Sequence, residues 1–263
     1  MRDAAFPSPA GAALLVALLA PFAAAAEPLV AGSCDLEPGA TGRVASVPDA
    51  VTLVLESGDT VRLAAIAPLT GDDGTAALEA LAAGQDIRLM HGDVASDRYG
   101  RAVAQAFLAD GRWIQAELLQ SGNAVVVAAD ERQCLAELHA FEQAGRETGA
   151  GYWDDNAIPG AWSPDIRNGP DRYAVVEGRV ESIGRTGTTV YLNFGRNWSE
   201  DLTVTLRSDD ADIIENEAWT LDQLVGALIR VRGWLSQRDG PWIGVDHGGQ
   251  IEVLSAGNAA VAD

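Results

Sequence analysis

The sequence predicts a mainly β protein with packed helices, built as two small β-barrels in tandem. Three observations carry that expectation. Short alternating apolar and polar runs, separated by Gly and Asp turns, occur in both halves; helical periodicity is concentrated in the first half; and one aperiodic stretch rich in proline and glycine separates them. At 263 residues the chain is long enough for two domains of ordinary size, each burying its own core.

The first 26 residues read as an export signal. Arg2 precedes an apolar run over 12–20, and Ala24-Ala25-Ala26 supplies the small residues a signal peptidase needs. That run is shorter than the roughly 20 residues a membrane-spanning helix requires. Ser33 before Cys34, and the distance of Cys34 from the apolar run, disfavour a lipid anchor. The expected location is therefore periplasmic or secreted. Cys34 and Cys134 are the only two cysteines. Export to an oxidising compartment would pair them as a disulfide, whereas retention inside the cell would leave two buried thiols.

A strand–strand–turn–strand meander spans 42–66, in "GRVASV", "VTLVLE", "GDT" and "VRLAAI". "GTAALEALAAG" over 74–84 places Leu78 and Leu81 at helical spacing and stops at a glycine, and "DIRLMHG" returns to strand. "RWIQAELLQSG" gives a second helix after the turn at 109–111. "DERQCLAELHAFEQAGRETG" gives a third, with Leu135, Leu138 and Phe141 on one face. Residues 156–171 hold three prolines and two glycines without periodicity and read as a linker. Beyond it, five or six strands with a short helical piece around 210–224 follow the order of an OB-type barrel. The expected organisation is a signal peptide at 1–26, a first domain at 34–155, a linker at 156–171, an OB-like domain at 172–255 and a disordered tail at 256–263.

Formal net charge is -20, with eighteen arginines and no lysine. So acidic a chain repels a phosphate backbone on average, which excludes a general nucleic-acid coat protein. Nucleic acid or another anionic polymer would bind only through local arginine clusters, weakly and with strong salt dependence. An acidic, lysine-free surface equally suits salty surroundings, which is no function. His91, His139 and His247 show no spacing suited to a metal site, and no metal is expected from them.

Three blocks carry a family resemblance: "VRLAAIAP" at 61–68, "DRYGRAVAQAFLADGRWIQAELLQSGNAVV" at 97–126 and "FEQAGRETGAGYW" at 141–153. Together they resemble the staphylococcal nuclease (thermonuclease) family, an OB-type barrel with helices packed on it. The resemblance implies calcium-assisted phosphodiester hydrolysis: aspartates hold the metal, a glutamate assists the attacking water, and two arginines bind the phosphate. Arg62 and Arg101 occupy the two arginine positions, where a planar guanidinium makes paired, charge-assisted hydrogen bonds to phosphate oxygens.

The family's acids are missing. Its "DGDT" corresponds to "DAVT" at 49–52, so Val51 replaces the first metal aspartate between Asp49 and Thr52. The segment carrying its second aspartate and its glutamate corresponds to the shorter "APL", which puts Ala67 and Leu69 there. A site stripped of charged oxygens binds calcium far more weakly, and losing a general base alone costs about a hundred- to ten-thousandfold in rate. The expectation is an exported pseudo-nuclease that keeps an anionic, phosphate-bearing ligand through its arginines and needs no cofactor. The alternative is an active metal-dependent nuclease whose acids have relocated to Asp49, Asp72 and Asp73, with calcium as its cofactor. Arg62 and Arg101 have a structural reading too, as partners of acids across the barrel.

In the second domain, "GRVESIGRTGTTVYLNFGRNW" interleaves Tyr191, Phe194 and Trp198 with arginines that include Arg196. On an OB-like barrel this is a candidate stacking face for single-stranded nucleic acid, although Tyr191 also fits a core position. The block resembles a C-terminal module that accompanies exported thermonuclease-like proteins.

Overall fold

The computed structural model describes residues 34–68, 73–92, 94–127, 134–154, 158–169, 171–210 and 220–257. The expected signal peptide and nearly all of the expected tail lie outside them.

The first domain begins with β1 (Glu37–Asp49), β2 (Thr52–Leu55), β3 (Thr60–Leu63) and β4 (Ile66–Pro68). Then come α1 (Asp73–Ala82), β5 (Asp86–His91), β6 (Ala102–Leu108), α2 (Ile114–Gln120), β7 (Ala124–Val126) and α3 (Leu135–Glu147). Strands β1-β2-β3-β6-β5 close into a barrel, and β4 pairs with β7 beside it. The three helices fall where apolar spacing puts them, because each has one stripe to bury. Leu78, Ile114, Leu119 and Leu138 are fully buried in the same core as Leu53, Val61 and Leu63. Cys34 is bonded to Cys134 across a sequence separation of 100 residues, tying the approach to β1 to the start of α3.

The second domain holds β8 (Arg172–Arg179), β9 (Ser182–Thr186), β10 (Thr189–Asn193), β11 (Thr203–Arg207), β12 (Leu228–Gln237), β13 (Pro241–Gly244) and β14 (Ile251–Ser255). Among the described residues they form a seven-stranded sheet, one strand more than the upper sequence count. Its order is β14-β12-β13-β11-β10-β9, with β8 on β12. Two 3-10 turns, Ser208–Asp210 and Leu221–Leu224, lie at the two ends of the expected helical piece, and its middle, 211–219, lies outside the described residues.

The stretch expected to be a linker is anchored to the second domain at two points. A short helix, α4 (Pro164–Asn168), is capped by the Ser163 hydroxyl, which accepts from the Ile166 amide. Ala161 and Ile166 are buried in the second core, so this segment belongs to the second domain. Proline at a helix N-terminus and a serine cap explain why a segment that reads as aperiodic still folds.

The two domains are joined by an apolar seam and a buried ionic cluster. Val125, Trp153 and Val175 form the seam, with Ala67, Tyr152, Ile158 and Tyr173 packed on it. Beside it, Glu142 of α3 and Arg232 of β12 are both fully buried, with Arg232 Nη1 2.9 Å from Glu142 Oε2. Glu142 also accepts from the Val126 amide at 2.6 Å and from Arg146, and Arg232 also donates to Glu252 and to the Val126 carbonyl. Arg230 bridges Glu177 and Glu252, and His139 lies 3.3 Å from Glu252. Three arginines face three glutamates, so the cluster is charge-balanced without a solvent contact at its centre. Burial alone would push the Glu142 and Glu252 carboxyls up. Arg232 and Arg146 hold Glu142 below the usual carboxylate range, and His139, Arg232 and Arg230 do the same for Glu252.

Candidate functional site

Strand register decides which of the candidate residues share a surface. Arg62 on β3 pairs in parallel with Val103 on β6, and Arg101 sits two residues before Val103. Arg62 points away from the core-facing Val61 and Leu63 of its strand, and Arg101 lies just before β6, next to the end of the β3–β6 pair that holds Val61 and Ala102. Thr52 pairs with Arg62 across β2 and β3 and brings the β1–β2 turn to the same place.

The two arginines are committed differently. Arg62 Nη1 donates to the Leu63 carbonyl at 2.9 Å and weakly to Val51 at 3.5 Å, while Nη2 donates to the Ile66 carbonyl at 2.9 Å. It thereby holds the corner between β3 and β4, where Ala65 sits in the left-handed region at φ 61° although it carries a Cβ. Arg62 therefore does structural work through carbonyl oxygens at this corner. Arg101 does pair with an acid: its Nε donates to Asp97 at 2.7 Å, and Asp97 also accepts from the Tyr99 and Arg101 amides. Burial acts to raise the Asp97 carboxyl, but the hydrogen bonds from Arg101 and Tyr99 outweigh it and hold the carboxyl below its ordinary value. The Arg101 side chain is about one-third exposed and lies against the Tyr99 ring. Its Nη1 and Nη2 make no hydrogen bond among the described residues.

Two of the positions of the missing acids are taken up in packing. Val51 is 8% exposed and belongs to the barrel core. Ala67 pairs with Val125 across β4 and β7 and packs on the seam between the domains. Asp49 is exposed at the turn, and its carboxylate accepts from the Val51 amide at 2.9 Å. The Thr52 hydroxyl is buried without a hydrogen-bond partner among the described residues, but one neutral oxygen does not make a calcium site. These donors do not fit the metal that the family resemblance implies. Leu69 and Asp72 lie outside the described residues, as does the side chain of Asp73, whose backbone opens α1.

In the second domain the structure separates the four candidate residues. Tyr191 and Trp198 line one groove, and Trp198 is 64% exposed. Phe194, expected on a ligand face, is 2% exposed in the core, where its ring lies against Gly178; a Cβ there would sit 2.4 Å from it. Strand alternation explains the correction: Phe194 keeps step with the buried Val190 and Leu192, while Tyr191 and Asn193 lie on the other face. Arg196 is exposed and is not part of the groove lining. The sequence reading missed Trp242 and Arg238 of the groove, and it missed the Glu142–Arg232 pair. One signal for the pair was legible: Arg230 and Arg232 alternate in a strand whose other face, Ile229 and Val231, is apolar, so both sheet faces must be covered.

Among the described residues no helix is long and apolar enough to cross a membrane. No curated protein matches the chain. Residues 71–155, which include Arg101, all of α2 and α3, and Trp153, match the family model described as "Staphylococcal nuclease homologue", and this part of the chain is a staphylococcal-nuclease-type domain.

Proposed function

We propose that this protein is an exported pseudo-nuclease that holds a phosphate-bearing ligand on the barrel face of Arg62 and Arg101 without cleaving it. The observation that carries this reading is the fate of two acid positions: Val51 is core and Ala67 is half-buried against the domain seam, so both serve packing and neither supplies a carboxylate to a metal. Loss of the metal acids and the base removes the activated water, and arginine cannot supply one. Arg101 is the better anion donor of the two, being partly exposed with Nη1 and Nη2 not hydrogen-bonded among the described residues, while Arg62 shapes the corner beside it. Export is supported by the leader-like segment and by the Cys34–Cys134 bond, which suits an oxidising compartment.

The test is a titration of the purified protein with a 5′-phosphorylated ten-residue oligothymidylate at low salt. Binding is expected to weaken steeply as salt rises and to be lost in Arg101→Ala. Absence of binding at low ionic strength, or binding indifferent to Arg101→Ala, contradicts the proposal.

A further inference from the structure

The outward face of β10, β11 and β13 is chemically unlike the rest of this acidic molecule. Register aligns Tyr191 with Thr205, Asn193 with Thr203, and Thr203 with Trp242, so these side chains share one face, while Val190, Leu192, Val204 and Ile243 point into the core. The face is thus a band of hydroxyl and amide groups set between aromatic rings. It lines a groove of about 500 Å³ with the exposed Trp198 at its rim. A second lobe of about 560 Å³ shares Thr189, Thr205 and Trp242 with the first, so the depression continues past Trp242. Trp242 is fixed in place. Its Nε1 donates to the Thr205 hydroxyl at 2.8 Å, and its ring lies where a Cβ on residue 244 would be, 2.9 Å from the nearest ring atom, so Gly244 is required. The Arg238 guanidinium stacks on the same ring, 4.1 Å from its centroid, which presents its N–H donors at the groove.

We propose that this face is a binding site for an extended, uncharged, β-linked oligosaccharide. Exposed aromatic rings pack against the apolar C–H faces of sugars, and the threonine hydroxyls, the Asn193 amide and the Arg238 fork supply the donors and acceptors that sugar hydroxyls need. A continuous open groove over a flat sheet face suits an extended chain more than a coiled one. Charge decides between a sugar and a single-stranded nucleic acid. Residues 171–257 carry fourteen acidic side chains against eight arginines, and Asp246 lines the second lobe. A phosphodiester chain would bring one negative charge per residue into that field, opposed by Arg238 in the first lobe and, in the second, by an Arg207 that Asp246 offsets. A neutral chain meets no such penalty. This site is separate from the Arg62 and Arg101 face and stands or falls independently of it.

The test is calorimetric and tryptophan-fluorescence titration of the full protein with cellohexaose and with chitohexaose, with a ten-residue oligothymidylate in parallel, each at low and high salt. At least one hexasaccharide is expected to bind with an affinity unchanged by salt. Removing the exposed ring in Trp198→Ala is expected to weaken it by at least about tenfold, and Trp198→Tyr to restore most of it. Circular dichroism of each variant confirms that the fold is kept. The proposal is overturned if neither sugar binds, if only the oligothymidylate binds, or if sugar binding survives both Trp198→Ala and Tyr191→Ala in folded protein.

Discussion

Replacing Glu142 with alanine removes the central carboxylate of the ionic cluster that joins the two domains. Glu142 is fully buried and accepts from the Val126 amide, Arg146 and Arg232. Without it Arg232, itself fully buried, keeps only Glu252 as a charged partner, and the Val126 amide loses its acceptor. An uncompensated buried charge of this kind costs about 3–5 kcal/mol. For a chain of this size each kcal/mol moves the midpoint by roughly 2–4 °C, so a fall of about 6–20 °C in Tm is expected. Glu142→Gln keeps an acceptor for the Val126 amide and should fall between wild type and alanine. The double variant Glu142→Leu, Arg232→Met removes both charges together and should lose at least about 1 kcal/mol less than the sum of the two single losses. Urea and thermal denaturation followed by circular dichroism measure these variants together with the single substitutions Glu142→Leu and Arg232→Met. If Glu142→Ala costs less than about 1 kcal/mol, or the two single losses simply add, the buried pair does not weld the domains and the argument fails.

Reducing the Cys34–Cys134 bond opens a loop of about a hundred residues and should cost on the order of 4 kcal/mol, read as a lower urea midpoint in reductant, with no alkylation of either thiol before reduction. Acid should destabilise the protein through Glu142 and Glu252. Their folded pKa values are depressed, so the stability they contribute is complete above the ordinary value of 4.5 and is lost as pH falls below it; urea midpoints at pH 7, 5 and 3 should show the drop, made shallower in Glu142→Gln. Ala65→Gly relieves a left-handed residue at the corner held by Arg62 and should be neutral or stabilising by up to about 1 kcal/mol, whereas Ala65→Val should destabilise measurably by the same denaturation assay.

Much of the first domain was legible because its signals are local. The alternation over 42–66, the glycine stops and the apolar stripes of α1, α2 and α3 each follow from short-range pattern, and the two cysteines had one partner each once export was assumed. Non-local terms were harder to read. Residues 158–169 look like a tether because proline and glycine suppress periodicity, yet Ala161 and Ile166 are drawn into a core that only the folded sheet creates. The burial of Phe194 was readable from its step with Val190 and Leu192, whereas Trp198 lies beyond the end of β10, where alternation no longer applies. The role of Arg62 was half legible. Its strand position was correct, but its carbonyl partners exist only because the chain turns sharply at Ala65. Glu142 and Arg232 are 90 residues apart in sequence, and no periodicity links them.

On the proposed reading, hydrolysis is lost because the acid positions at Val51 and Ala67 have become packing positions. The most direct measurement is cleavage of single-stranded DNA and of RNA by the purified protein, with calcium and with a chelator, alongside the triple variant Val51→Asp, Ala67→Asp, Leu69→Glu. The account predicts no calcium-stimulated cleavage by the native protein, and reduced stability in the triple variant, whose new carboxylates at 51 and 67 would enter the core and the seam. Robust calcium-dependent turnover by the native protein that vanishes in Asp72→Ala, Asp73→Ala would contradict it and would establish relocated metal ligands in their place.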